Sequence, residues 1–157
     1  MKIIAHRGLI TGPDDEKQNH PSQVEDALAE GYDAEIDVWH ERGSWFLGHD
    51  FPTHRISLEW LTKAGLWIHC KNTSAFYNLQ RLVSPTNHFF HDSDLIVLTS
   101  QGNIWTYFGL PETRDPMAIC VMPEVNYSWK EIEIMVRKKQ WAGFCTDHPR
   151  KIREWVE

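Results

Sequence analysis

Eight apolar runs of three to five residues punctuate this chain, and their brevity decides what it can become. They are Lys2–Ala5, Ala34–Val38, Leu66–Cys70, His88–Phe90, Leu95–Leu98, Ile104–Tyr107, Ala118–Met122 and Ala142–Cys145. Each is continuous, not alternating, as expected of strands covered on both faces. Trp45–Leu47 adds a further short strand, joined to the second run through a hairpin turn at His40–Ser44. Between the runs the apolar spacing turns helical. Pro21–Glu30 places Val24, Ala27 and Leu28 on one face, with proline in the first turn and Gly31 as the stop. Leu58–Ala64 follows Ser57, and Ser74–Leu82 carries Phe76, Leu79 and Leu82. Ser128 and Glu131 make a capping-box pattern ahead of a helix burying Trp129, Ile132, Met135 and Val136. Pro149 opens a last helix with Ile152, Trp155 and Val156 expected inward.

Strand–helix alternation predicts one α/β domain over residues 1–157 with a parallel sheet. Its 157 residues allow about 20 per strand, against the ~250 of a usual eight-stranded barrel. The expectation is a reduced TIM-type (β/α)8 barrel lacking helices around strands four to six. The pentapeptide Thr99–Asn103 has no room for a crossover helix, and Gly109–Met117, with two prolines, reads as loop.

Composition narrows the function. The net charge of −6 disfavours a nucleic-acid partner. No apolar run approaches the ~20 residues of a membrane helix. Three cysteines without a C-x-x-C pattern read as reduced, buried thiols, as in the cytoplasm. Nine histidines are the unusual entry.

Several of those histidines fall just beyond strand ends, where α/β folds bind ligands. His6-Arg7-Gly8 follows the first run, and Gly48-His49-Asp50 follows Trp45–Leu47. Glu35 and Asp37 alternate on the second run, and His69 and Lys71 at the third, so each pair shares a face. His91, Glu124 and Asp147 follow later runs, Asp147 doubling as a cap for the last helix. Two carboxylates on one face offer a seat to a hard divalent cation. His6 and His49 supply groups titrating near neutrality, as an acid–base pair needs. Arg7 and Lys71 supply fixed positive charge for a phosphate. His40, His20, His54, His88 and His148 belong to no such pattern, the last four reading as solvated or capping.

The strings Ile4-Ala5-His6-Arg7-Gly8, Gly31–Val38 with its Glu35-Ile36-Asp37, and Gly48-His49-Asp50 resemble the glycerophosphodiester phosphodiesterase family in order and spacing. The closing Gly143–Pro149 resembles its last strand and Thr-Asp-x-Pro turn. The resemblance implies a phospholipase-C-like phosphodiesterase barrel acting on a small or lipid-derived phosphodiester. It implies Mg²⁺ or Ca²⁺ on Glu35 and Asp37, with His6 and His49 as acid and base. The chain departs from the pattern twice. Gln18-Asn19 stands where the family has Glu-Asn, and His69 stands where a third metal-binding Glu is usual. An imidazole there suits Mn²⁺ or Zn²⁺ better. The short chain also leaves an open mouth built in part from Trp39, Trp45, Trp105 and Tyr107. The competing expectation is a phosphoester or sugar-phosphate binding protein that has the site without the reaction.

Overall fold

A computed structural model describes residues 1–108 and 114–156; the first five residues of the expected 109–117 loop lie outside the described residues. The described chain forms ten strands and four α-helices. Seven strands run parallel: β1 (Lys2–Ala5), β2 (Asp33–Glu41), β5 (Leu66–Cys70), β6 (Asn87–Phe89), β8 (Ile104–Tyr107), β9 (Ala118–Val121) and β10 (Gly143–Thr146). They stand in the order β6-β5-β2-β1-β10-β9-β8. Strands β3 (Ser44–Leu47) and β4 (His54–Ile56) extend antiparallel from the end of β2. Strand β7 (Ile96–Leu98) pairs antiparallel with β8. The helices are α1 (Pro21–Ala29), α2 (Thr73–Gln80), α3 (Trp129–Arg137) and α4 (Pro149–Val156). None is long and apolar enough to cross a membrane.

The expected TIM-type barrel does not form. The sheet is mixed and curls into a half-barrel, with β6 paired only to β5 and β7 only to β8. A parallel neighbour requires a crossover of a dozen or more residues. Between β7 and β8 the chain has five, Thr99 to Asn103, so it turns back as a hairpin and reverses polarity. Strand β7 is also largely exposed, not buried on both faces as its composition suggested. Leu58–Ala64 forms only a 3-10 turn over Trp60–Thr62, the run being short and ending at Gly65. His88 is buried and not solvated, its ring held by Thr86 and Gln80. Val156 is exposed rather than inward. The His40–Ser44 turn narrows to Arg42-Gly43, both with positive φ, the geometry of a tight hairpin.

Alternation along the strands sorts residues between two faces. Ala34, Ile36 and Val38 of β2 join Ile68 and Cys70 of β5 under α1 and α2. Ala118, Cys120 and Phe144 lie under α3 and α4 with Ile132, Met135 and Ile152. The opposite parity fills the concave side. There Ile4, Trp67, Phe89, Trp105, Ile119, Val121 and Cys145 form a buried core. One step further along the same strands, the side chains become polar. The concave face is thus an apolar floor carrying a chemical layer. All three cysteines are buried, and burial pushes each thiol up, consistent with structural roles.

On the open side of the half-barrel Ser100 ties the β7–β8 turn to the β6 backbone. Ser100 N donates to the His88 carbonyl at 2.8 Å. Its Oγ accepts from His88 N at 3.0 Å and donates to the Thr86 carbonyl at 2.8 Å. The serine thereby supplies to β6 the partners that a neighbouring strand would. Replacing it by alanine strands the His88 N–H, at a cost of roughly 1–3 kcal/mol, while the Thr86 carbonyl keeps His88 Nδ1 at 3.2 Å. S100A is expected to lower the unfolding free energy by that order, seen as a lower urea midpoint with an unchanged m-value, whereas an unchanged midpoint would show that the bridge contributes nothing.

Candidate functional site

The polar layer opens into a pocket of about 160 Å³ at the C-terminal ends of the parallel strands. It is lined by His6, Arg7, Glu35, Asp37, His49, His69, Lys71 and His91, together with Asp92, Trp105, Tyr107 and Val121. The structure therefore brings together every sequence-predicted site residue except Glu124. By the usual share of liquid volume, the space holds about five water molecules.

Local sequence explains the placement. After β1 the chain makes a 3-10 turn, His6–Gly8, with Arg7 in the left-handed region at φ 51°. Gly8 follows at φ 76°, where a Cβ would sit 2.8 Å from Val24 Cγ2. His-Arg-Gly is thus a sharp bend pressed onto α1, turning His6 and Arg7 over the pocket. Gly48 is as constrained: a Cβ there would meet the Phe51 carbonyl at 2.0 Å. Its N donates to the Asp37 carbonyl at 3.1 Å, which brings His49 in from the antiparallel extension. Phe108 and Met122 are also left-handed, immediately after β8 and β9. Left-handed non-glycine backbone of this kind gathers at functional sites.

Asp37 is the hub. It is 1% exposed, and both oxygens are engaged. Oδ1 lies 3.0 Å from His69 Nδ1 and 3.6 Å from Lys71 Nζ. Oδ2 accepts from Asn19 Nδ2 at 2.8 Å and lies 3.4 Å from Arg7 Nε. Asn19 Oδ1 returns a bond by accepting from Asp37 N at 2.9 Å. Burial opposes the charge on Asp37, but the His69 hydrogen bond and the charges of His69, Lys71 and Arg7 outweigh it and hold the carboxyl well below the usual range. Glu35, 3% exposed, is instead raised by burial and by the neighbouring Asp37 charge. Its Oε2 accepts from Arg7 N at 3.1 Å. The departure at Gln18 keeps a contact, its Oε1 accepting from Arg7 Nη1 at 2.5 Å.

The two candidate acid–base histidines sit in different surroundings. His6 Nδ1 lies 2.7 Å from Asp147 Oδ1, a buried pair. Burial alone lowers His6, but the Asp147 hydrogen bond and the Glu35 charge reverse this, and its pKa is raised. His49 Nδ1 lies 2.8 Å from the exposed Asp50, and burial lowers its pKa. Asp147, read from sequence as a cap, spends its carboxylate on His6. Glu124 does not reach the pocket. Its Oε1 accepts from Thr146 Oγ1 at 2.5 Å and from Asp147 N at 3.2 Å, so it steadies the residue that steadies His6.

Glu35, Asp37 and His69 place one ligand atom each within 4.8 Å of one another. Two carboxylate oxygens and one imidazole nitrogen fit a small divalent cation, and the nitrogen favours Mn²⁺ or Zn²⁺ over Ca²⁺. Next to them, His91 stacks on His69 with ring centroids 4.5 Å apart, and its Nε2 lies 2.6 Å from Tyr107 Oη. Sequence reasoning left Asn19 without this role; of the four aromatics expected at the mouth, Trp105 and Tyr107 line the pocket and Trp39 and Trp45 do not. Asn19 was visible as half of the Gln-Asn pair, but its bond to Asp37 depends on a left-handed backbone, φ 57°, that no spacing announces.

No family model, curated protein or solved structure matches the chain. The site is therefore argued on its own geometry. If Asp147 holds the His6 proton, D147N moves the His6 titration midpoint to lower pH in an NMR titration, while His49 titrates as before. An unmoved His6 would sever that link.

Proposed function

We propose that this chain is a metal-assisted phosphodiester hydrolase. The observation that carries the reading is one small pocket holding two imidazoles pushed apart in pKa, two cations, and a Glu-Asp-His cluster with metal-ligand spacing. Its motifs' resemblance to glycerophosphodiester phosphodiesterases supports the same reading. Paired titratable groups with divergent pKa values are how one site runs acid and base chemistry together.

The roles follow from the hydrogen bonds. His49, its Nδ1 turned to Asp50, keeps a neutral Nε2 to take the proton from the attacking oxygen, a water or a neighbouring substrate hydroxyl. His6, protonated and held through Nδ1 by Asp147, gives its Nε2 proton to the leaving alkoxide as the P–O bond breaks. Arg7 and Lys71 face the phosphoryl oxygens as their charge grows. Glu35, Asp37 and His69 would hold the cation, which when bound polarises the phosphoryl group. The substrate arms lie outside so small a pocket.

One observation favours the binding-only alternative: Arg7 and Lys71 already balance Glu35 and Asp37 in formal charge. Turnover decides. Chelated protein is assayed on bis(4-nitrophenyl) phosphate and a glycerol-type diester, with Mg²⁺, Ca²⁺, Mn²⁺ and Zn²⁺ restored singly. H6A and H49A are each expected to lose about 10²-fold or more in kcat with the fold retained. No turnover with any metal would leave a binding protein, and native rates in both variants would refute the assignment.

The pH profile has a defined sign. Activity needs His49 neutral, so it falls below a midpoint under 6.5, the ordinary value from which His49 is lowered. It needs His6 protonated, so it falls again above a midpoint over 6.5, from which His6 is raised. The result is a bell with a broad top, and D147N should pull in its alkaline limb.

Metal choice is testable without turnover. Mn²⁺ and Zn²⁺ are expected to raise the melting temperature more than Mg²⁺ or Ca²⁺, and H69E to reverse that order. Equal responses from all four metals would remove His69 from the ligand set.

A further inference from the structure

Six buried side-chain polar atoms among the described residues have no hydrogen-bond partner, and three of their residues line this one pocket. They are Arg7 Nε, His91 Nδ1 and Trp105 Nε1. A buried donor left unmade costs about 1–3 kcal/mol, so an accumulation in one cavity points to a missing acceptor. Arg7 at least faces the charge of Asp37. The other two are His91, just beyond β6 and flagged by its strand-end position, and Trp105 of β8, expected at the mouth.

Trp105 is 1% exposed, and an indole can only donate. Alternation places it and Tyr107 on the same concave face of β8, its Nε1 near enough to the Tyr107 hydroxyl to interact with it yet outside hydrogen-bond geometry. That hydroxyl shares a 2.6 Å hydrogen bond with His91 Nε2. Proton counting fixes what this pair offers. If Tyr107 donates to Nε2, the neutral imidazole carries its proton on Nδ1, which is unpartnered. If Nε2–H donates to Tyr107, the phenol proton is the free one. Either tautomer leaves one spare donor, and Trp105 adds a second.

We infer that Trp105, Tyr107 and His91 form an uncharged donor wall that binds the non-bridging oxygens of a phosphodiester, in the same pocket as Arg7 and Lys71. Neutral donors suit a singly charged diester, because they satisfy its oxygens without adding charge to a pocket whose four fixed charges already cancel. The inference rests on the phosphodiester reading of this pocket and extends it to residues that reading does not use.

The test uses dimethyl phosphate as a diester anion and the indole N–H signals of the eight tryptophans as reporters. The Trp105 signal is identified by its loss in W105F. In the native protein it should shift on titration with dimethyl phosphate, while the signals of Trp67 and Trp141, buried away from the pocket lining, stay in place. Tyr107→Phe removes only a hydroxyl and should weaken dimethyl phosphate binding about tenfold and raise KM on bis(4-nitrophenyl) phosphate similarly, with the native fold retained by circular dichroism. A silent Trp105 signal with native affinity in Tyr107→Phe overturns the wall, even if the protein hydrolyses diesters. A shifting Trp105 signal in a protein that hydrolyses none supports the wall and removes the catalytic reading instead.

Discussion

Burying two carboxylates side by side is the constraint around which this molecule is organised. Glu35 and Asp37 sit two residues apart on a central strand, both almost completely removed from water. Isolated charges in such a place cost several kcal/mol each unless they are paired and hydrogen-bonded. Neighbouring segments answer that cost. The bend after β1 brings Arg7, the next loop brings Asn19, and the adjoining strand brings His69 and Lys71. The loops at this end of the sheet are therefore shaped by electrostatics before any ligand arrives, whereas the opposite parity of the same strands is shaped by packing against helices.

The division of the concave face into an apolar floor and a polar layer follows from the same alternation. Phe89 ends β6 in the floor and His91 follows it into the polar layer, and Trp105 and Tyr107 stand in a similar relation on β8. The floor fixes the backbone, and the layer above inherits its precision. Surroundings then differentiate chemically similar groups: burial and the Asp37 charge drive Glu35 up while the His69 bond and nearby cations hold Asp37 down, and the Asp147 bond lifts His6 while burial lowers His49. These differences come from position alone.

Much of this was legible from residue order. The apolar runs placed the parallel strands within a residue, except that β2 continues three residues past Val38 into its hairpin, and the strand-end histidines and acids led to the pocket. Closure was not legible. The length of the Thr99–Asn103 connection excluded a crossover helix, but composition cannot say whether a short connection reverses a strand. Reversal at β7 turned the anticipated barrel into a half-barrel, and a serine turn took the place of a strand. Asp147 and Glu124 were visible as strand-end acids, yet which partner each chose depended on a meeting of strands far apart in the chain. Asn19 depended on a backbone conformation, and Trp105 on a donor that no protein atom satisfies. Periodicity reports faces, but it does not report who stands opposite.

The bond between His6 and Asp147 joins residues 141 positions apart, and β10 lies directly between β1 and β9. During synthesis the first strand must therefore wait for one of its two neighbours until nearly the whole described chain has emerged. Contacts of such long sequence separation are slow to form and leave intermediates exposed. A nascent chain that already holds Arg7, Glu35, Asp37 and Lys71 lacks the carboxylate that readies His6. Any chemistry this pocket performs is thereby withheld until the fold is complete, a form of timing written into strand order alone.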